Sequence, residues 1–283
     1  MSALPRALSP DAEYASPAVR RLRDDLSLAL RAAAYHGLEE GVCNHFSVML
    51  PGRHDDPQAP AAPSPPPAGD ARAWGGPAPA QDRYLINPRG LHWSEVGPDD
   101  IVLIDVHGNV LAGRHRVEPT ALFIHGAVHR LTGRAVVLHC HMPYATALTL
   151  TQDGALDPTL SQNAMRFMNR LAVDRVYNGL ALDDAEGERI AGAMAGENAG
   201  KDIIFLANHG VIVAGLSVAW AYDDLYYLER ACLHQVLAQS TGRPLVPVDA
   251  KLAAHVAAQI QGEREQSDLF FEALRRLLPP PRR

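Results

Sequence analysis

The amino-acid sequence predicts an α/β fold in which helices cover one β-sheet. Segments with helical periodicity alternate with short runs typical of strands, in the order helix, strands, helix, strand, helix, strands, helix. The chain has 283 residues, of which 47% are apolar, enough for one large core. We therefore predict a flexible tail over residues 1–16, one domain over residues 17–245, and a helical extension and tail over residues 246–283.

The domain is predicted to begin with an amphipathic helix and to continue into paired strands. From Pro17 to about His36, leucine and alanine recur every three to four residues, and proline suits the first turn of a helix. The runs HFSVML and RYLINP are typical of strands. Residues 53–82, which separate them, have almost no aliphatic side chain larger than alanine. Such a segment cannot bury enough apolar area to offset its ordering entropy, so we predict a surface loop inserted between paired strands.

The following elements complete the alternation. IVLIDV and GNVLAG are predicted to be two short strands joined at a His-Gly-Asn turn. Residues 119–131 have helical spacing, AVVLHCH is typical of a buried strand, and residues 183–196 of a polar-faced helix. IIFLANHGVIVAG is predicted to be a strand–turn–strand unit, and residues 217–239 a long helix. That helix carries charged residues expected on a solvated or interface face: Asp223, Asp224, Glu229 and Arg230.

Charge and composition exclude several classes of partner. The net charge of −6 argues against a nucleic-acid-binding surface, which needs a basic excess. No apolar run approaches eighteen residues, so no membrane span is expected. The N-terminal residues contain charges and prolines where a signal peptide needs an apolar stretch. The three cysteines form no CxxC pair, which favours a reducing, cytoplasmic location.

Three histidines are candidates for a metal site. His139 and His141 lie in VVLHCHMP, and residues i and i+2 of a strand point to the same face. His209 lies in NHGVIVAG, where an apolar run meets a glycine and a side chain can turn towards a cleft. An HxH pair alone is more typical of polar side chains at a strand end than of a metal site, but the later NHG favours metal binding. Three neutral imidazoles leave a divalent transition metal with open coordination positions, whereas Cys140 is expected on the opposite face as inert packing.

These motifs, with their neighbours, resemble the class II aldolase/adducin family. The resemblance extends over about residues 18–240 and depends on five stretches: GLEEGVCNHFSVMLPG, LINPRGLHWSEVGPDDIVLIDVHGNVLAG, IHGAVHR, VVLHCHMPYATAL and LANHGVIVAGLSVAWAYDDLYYLERAC. It implies a three-layer α/β/α sandwich with a central mixed, mainly antiparallel sheet. It also implies a homo-oligomer, with a tetramer favoured, that acts on a small-molecule substrate near subunit interfaces.

The resemblance further implies the chemistry of the three histidines. His139, His141 and His209 would bind a divalent cation, zinc in preference to iron, manganese or cobalt. In this family the metal stabilises the enediolate that forms when a bond next to a carbonyl breaks. His125 is expected to support the site or to pack beside it rather than to be a fourth ligand.

The sequence departs from the sugar-phosphate members of the family at two places. The hydroxyl-bearing run that helps to bind phosphate is replaced by Asn87-Pro88-Arg89-Gly90, so a phosphate pocket is doubtful, although Arg89 could supply a cation. The candidate substrate-binding residues are Asn44, Asn87, Arg89 and Gly90. The position of the family's acid falls on Ala121 or Leu122. Glu118 is the nearest carboxylate, and Glu118 and Tyr144 are the candidate catalytic residues.

Three functions compete at this point. The first is a metal-dependent lyase that cleaves a small hydroxy-carbonyl compound as an aldolase does; decarboxylation, dehydration or epimerisation would use the same chemistry. The second is an Fe(II)-dependent oxygenase on the same three histidines, which the missing acid favours. The third is a non-catalytic, adducin-like interaction protein, which the retention of all three histidines disfavours.

Overall fold

The structure, a computed structural model, describes residues 9–50 and 82–281. The predicted loop over residues 53–82 therefore lies almost wholly outside the described residues. The described strands are β1 (His45–Leu50), β2 (Arg83–Ile86), β3 (Val102–Asp105), β4 (Val110–Ala112), β5 (Val136–Cys140), β6 (Leu171–Asp174), β7 (Ile203–Leu206) and β8 (Gly210–Gly215). The described helices are α1 (Pro10–Tyr14), α2 (Pro17–Tyr35), α3 (Pro119–Thr132), α4 (Pro143–Thr149), α5 (Gln162–Met165), α6 (Asp184–Gly192), α7 (Val218–Ser240), α8 (Ala250–Gly262) and α9 (Glu265–Leu277).

All eight of these strands form one sheet in the order β4-β3-β2-β1-β5-β8-β7-β6. Every neighbouring pair is antiparallel except β6 and β7, which are parallel. The predicted mixed, mainly antiparallel sheet is therefore confirmed. Strand β5 lies between β1 and β8, and all five of its residues are buried, as expected of a central strand covered on both faces.

Helices cover both faces of the sheet, which confirms the predicted three layers. Alternate residues of β5 separate the two cores, because successive side chains of a strand point to opposite faces. Leu138 and Cys140 pack into the larger core with helices α2, α4, α7 and α9. Val137 packs on the other face with Ile124 of α3 and Ile190 of α6.

Local signals account for where the long helices begin and end. Helix α2 begins after Ser16, whose side chain accepts a hydrogen bond from the backbone of Val19, and proline occupies its first position. Helix α3 ends at Gly133, which has the left-handed conformation that glycine adopts readily. Among the described helices, none is both long and apolar enough to cross a membrane.

The predicted flexible tail is wrong for residues 9–16. Ser9 caps α1 and Pro10 occupies its first position, so this short helix has its own start signal. The Tyr14 hydroxyl donates a hydrogen bond to the Ile101 carbonyl at 2.6 Å and so attaches α1 to the domain. Residues 1–8 lie outside the described residues.

The C-terminal residues form α8 and α9, and α9 packs against the domain. Phe271 and Leu274 of α9 belong to the larger core. The predicted solvated or interface face of α7 is wrong for Asp223, Asp224 and Glu229, which are already buried within the single chain, at 2%, 1% and 5% exposure. Their burial is possible because each carboxylate has hydrogen-bond donors within reach.

Two of these carboxylates join separate parts of the chain through arginine. Asp224 lies 2.7 Å from Arg170 and 2.6 Å from Arg264, and Asp223 lies 2.6 Å from Arg166. Burial acts to raise the pKa of Asp224, but Arg170 and Arg264 outweigh it and hold that pKa below its ordinary value. The carboxylate therefore stabilises the folded chain as long as it is ionised.

We predict that Asp224→Asn lowers the free energy of unfolding by about 1.5–3 kcal/mol, because Arg170 and Arg264 each lose one of two carboxylate partners and keep Asp202 and Asp223. Glu188→Gln, which removes an exposed partner 3.7 Å from Arg130, should change it by about 0.5 kcal/mol or less. Since the pKa of Asp224 is lowered on folding, its contribution should persist above the ordinary carboxyl pKa of about 4 and fall as the pH drops below it. Urea unfolding followed by circular dichroism measures both effects; equal loss in the two variants would contradict the account.

Candidate metal site

Three imidazole rings meet where β5 ends and β8 begins. His139 is in β5, His141 follows it, and His209 immediately precedes β8, whose residue Val211 pairs with Cys140. The ring centroids lie 5.0 Å (139–141), 4.8 Å (139–209) and 4.7 Å (141–209) apart. One nitrogen from each ring can be chosen so that all three lie within 4.8 Å of one another. The rings therefore converge as the sequence predicted.

The NHG sequence explains how His209 reaches this position. Asn208 has φ of 55°, in the left-handed region that asparagine tolerates better than most residues. A Cβ atom added to Gly210 would lie 2.7 Å from the Cys140 carbonyl oxygen and 2.8 Å from Cδ2 of His141. Only glycine therefore allows β8 to start this close to the end of β5.

Hydrogen bonds orient two of the rings. His139 Nδ1 lies 3.0 Å from the Val211 carbonyl oxygen, so it donates and leaves Nε2 with a free lone pair. His141 Nδ1 lies 2.5 Å from the Glu40 carboxylate and donates to it, so Nε2 of His141 also has a free lone pair. That Nε2 atom is buried and finds no hydrogen-bond partner among the described residues. An oriented, otherwise unsatisfied nitrogen is what a metal ligand requires, so these residues fit a divalent cation.

The electrostatics of the site favour neutral imidazoles. Burial lowers the pKa of His139 well below its ordinary value, and the neighbouring His209 and His141 lower it further. Burial, followed by the proximity of His141, lowers the pKa of His209 to about 4. Neutral rings have the lone pairs that bind metal, so this pair needs no deprotonation at neutral pH.

Comparison with known proteins identifies the family. Residues 24–236 match the model of the Class II Aldolase and Adducin N-terminal domain. The chain belongs to this family. Relatives in the class II aldolase and adducin family include a protein of Caulobacter vibrioides provisionally assigned to aldolase class 2, which is 30% identical over 246 residues, 86% of this chain and 80% of that protein.

Two further relatives bear on fold and chemistry. An aldolase II superfamily protein from Pseudomonas syringae has a similar crystal structure, with a TM-score of 0.75, 28% identity, and coverage of 94% of this chain and 95% of that one. A 4-hydroxy-3-prenylphenylpyruvate oxygenase/4-hydroxy-3-prenylbenzoate synthase from Streptomyces roseochromogenus is 30% identical over 181 residues, 63% of each chain. The fold is therefore that of class II aldolases, while named relatives differ in reaction.

The two asparagines predicted to bind substrate form hydrogen bonds with backbone groups next to the three histidines. Asn44, with φ of 71°, accepts a hydrogen bond from the His141 backbone at 3.1 Å through its side-chain oxygen. Asn87 accepts from the Phe46 backbone at 2.8 Å and donates to the Asn44 carbonyl at 3.3 Å. Asn44 and Asn87 are only 2% and 3% exposed. Asn44 thus connects the start of β1 to the residue that follows β5, and Asn87 connects the end of β2 to the start of β1.

Glu229 holds the helix that follows His141. Its two carboxylate oxygens accept hydrogen bonds from the backbones of Tyr144 and Ala145, each at 2.8 Å, at the first turn of α4. A carboxylate at this end of a helix satisfies donors that the helix itself cannot. The Tyr144 side chain is partly buried and packs against the larger core.

The remaining candidates lie around the start of α3. Glu118 precedes this helix and forms an ion pair of 2.8 Å with Arg89, next to Gly90 at φ of 83°. At the two possible positions of the family's acid, Ala121 is buried in an apolar cluster and Leu122 packs against it.

Three residues beside the histidines were missed by sequence analysis. Glu40 orients His141, and Tyr177 has its ring centroid 6.4 Å from that of His209. His45 of β1 pairs in register with His139. The period of two in His45-Phe46-Ser47 was a usable signal for His45, because it places two polar side chains on one face of a strand.

We predict that His139→Ala abolishes metal retention, because two imidazoles cannot hold the ion tightly. Protein purified without chelator should fall from about one divalent ion per chain to almost none, as measured by plasma mass spectrometry. His255→Ala, which changes an exposed residue of α8, is the control and should leave the metal content unchanged. Full metal content in the His139 variant would contradict the site assignment.

We also predict that Gly210→Ala weakens metal binding by about 10- to 100-fold, since the added methyl group must displace the Cys140 carbonyl or the His141 ring. Gly262→Ala is the matched control, because a Cβ at that position meets nothing within 4 Å. Competition with a chromogenic chelator measures both affinities. An affinity in the Gly210 variant equal to that of the control would show that close packing here does not position the rings.

Proposed function

We propose that this chain is a metal-dependent lyase that cleaves a carbon–carbon bond of a small hydroxy-carbonyl compound, as aldolases do. The observation that carries the proposal is the convergence of His139, His141 and His209 with nitrogens within 4.8 Å of one another. Three imidazoles leave a divalent cation open positions for two substrate oxygens. The family and the relative provisionally assigned to aldolase class 2 support the same reaction class.

The roles of the residues follow from their contacts. The three histidines would hold the cation, while Glu40 and the Val211 carbonyl keep two of the rings in orientation. When bound, the cation would act as a Lewis acid on the substrate oxygens and stabilise the negative charge that develops beside the carbonyl. Zinc is the metal we favour, since it accepts three imidazoles and leaves a position open; iron, manganese and cobalt bind similar ligands.

Residues at the start of α3 would act on the substrate beyond the cation. Arg89 is about half exposed and would attract an anionic or carbonyl group of the substrate. Glu118, its ion-pair partner, is a candidate for proton transfer because its carboxylate is partly accessible. Tyr144 has weaker support, since its ring packs into the core.

The proposal also covers the oligomeric state of the protein and its location in the cell. We infer a homo-tetramer in the cytoplasm, with no nucleic acid or membrane partner. The support for assembly is a run of exposed apolar side chains next to the site: Val176, Tyr177, Leu180 and Leu182.

A second candidate function is Fe(II)-dependent oxygenation on the same histidines. It is favoured by the apolar residues Ala121 and Leu122 at the acid's position, and by the relative named as an oxygenase. An oxygenase needs open positions on iron but no carboxylate at this point of α3.

We predict that protein purified without chelator contains zinc and releases a carbonyl product from one member of a panel of three- to six-carbon hydroxy-carbonyl compounds without consuming oxygen. Chelation should abolish release and added Zn²⁺ should restore it, because no other described group replaces the Lewis acid. Product trapping by a hydrazine reagent, alongside an oxygen electrode, provides the measurement. Bound iron with oxygen uptake would favour the oxygenase, and the absence of any retained divalent metal would contradict both candidates.

A further inference from the structure

A chain of hydrogen bonds lies on the α3 face of the sheet, beneath the three histidines. Ser47 Oγ lies 2.6 Å from His125 Nδ1 and 2.8 Å from His129 Nε2. His129 Nδ1 lies 2.8 Å from the Arg134 carbonyl oxygen. We call His129, Ser47 and His125 the relay; all three side chains are buried.

The relay has a single direction, which follows from the chemistry of its ends. The Arg134 carbonyl can only accept, so His129 Nδ1 carries the proton and Nε2 is an acceptor. Ser47 therefore donates to His129, and its lone pair accepts from Nδ1–H of His125. A contact of 3.5 Å between Ser47 and the Val137 carbonyl is too long to compete. His125 Nε2 is consequently left without a proton.

Both imidazoles of the relay stay in this neutral form at ordinary pH. Burial lowers the pKa of His129 to about 4, although the hydrogen bond to Arg134 opposes the shift. Burial lowers the pKa of His125 well below its ordinary value, and His45 and His129 add to the effect. Because both rings are neutral, the hydrogen-bond geometry determines which nitrogen of each ring carries the proton.

The relay ends on an unsatisfied acceptor that adjoins His45. His125 Nε2 is buried and has no hydrogen-bond partner among the described residues. The rings of His125 and His45 are nearly perpendicular, with centroids 6.0 Å apart. His45 pairs in register with His139, so the two side chains stand side by side on the same face. His45 therefore lies between the relay and the three candidate metal ligands, and its ring has an N–H that could serve the free acceptor of His125.

We propose that His45 is a substrate-binding residue that accepts a hydrogen bond from a substrate hydroxyl, and that the relay positions it. His125 Nε2 has no hydrogen-bond partner among the described residues, so an N–H of His45 would complete the relay by turning towards it. The other ring nitrogen of His45 would then be an acceptor beside the proposed cation. The inference rests on the proposed function and narrows its substrate to compounds with a free hydroxyl next to a metal-binding oxygen. His45 would thereby hold the hydroxyl on the face of the sheet that α3 covers, next to His139.

The test compares two probes on the cobalt-loaded protein. Glycolate has a free hydroxyl beside its carboxylate, whereas methoxyacetate has the same skeleton with that hydroxyl methylated. Binding is followed through the visible absorption of cobalt. The wild type should prefer glycolate, and His45→Phe should reduce this preference about tenfold without loss of cobalt. Ser47→Ala, which interrupts the relay without touching His45, should reduce it in the same direction. An unchanged preference in both variants would overturn the proposal.

A second measurement keeps the inference separate from the proposed function. Long-range proton–nitrogen correlation spectra of the wild-type protein report the tautomer of each histidine. Nδ1–H at both His125 and His129 is expected, and Nε2–H at His125 would overturn the relay even if cobalt binds. Conversely, failure of the wild type to retain cobalt would overturn the metal site, while the spectra would still decide the direction of the relay.

Discussion

β8 begins so close to the end of β5 that a side chain larger than hydrogen at residue 210 would collide with the Cys140 carbonyl. This close approach, with the strand pairing that continues it, is the constraint on which the candidate site depends. His141 and His209 extend from the ends of two neighbouring strands, so the register between the strands sets the distance between the rings. The backbone hydrogen bonds of a central strand with helices on both faces open rarely, so the positions of the three histidines are held rigidly.

The two faces of the sheet serve different purposes. The larger core, on the side of α2 and α7, is almost wholly apolar around β5. The face towards α3 contains buried imidazoles and a hydroxyl, which are costly to bury unless each finds a partner. Most of these groups do find one. Among the described residues, the buried atoms without a partner on this face include Nε2 of His125, Nε2 of His141 and the Tyr84 hydroxyl. The two imidazole nitrogens lie close to where a cation and its substrate are proposed to bind.

Much of the architecture could be predicted because its causes are local. The period of two in β5 placed His139 and His141 on one face and Cys140 on the other, and the structure has them so. The asparagine and glycine on either side of His209 predicted a turn, because these residues tolerate backbone conformations that turns require, and Asn208 does have a positive φ. The layered sheet followed from the order of elements together with the family resemblance, and it is confirmed.

What could not be predicted depends on pairings between distant residues. Asp224 is buried because arginines at positions 170 and 264 reach it, and nothing near Asp224 in sequence indicates this. The place of His45 beside His139 is set by the register between β1 and β5, which a single sequence does not specify. The same register explains the contacts of Asn44 and Asn87, which connect β1 to the ends of its neighbours β5 and β2; their substrate-binding role stays a prediction.

X-ray absorption spectroscopy of the metal-loaded protein tests the central claim most directly, because it counts the ligands around the ion itself. The account predicts three imidazole nitrogens at about 2.0–2.1 Å, completed by oxygen and without sulfur. A first coordination sphere with fewer than three imidazoles, or one that contains a thiolate, would contradict it.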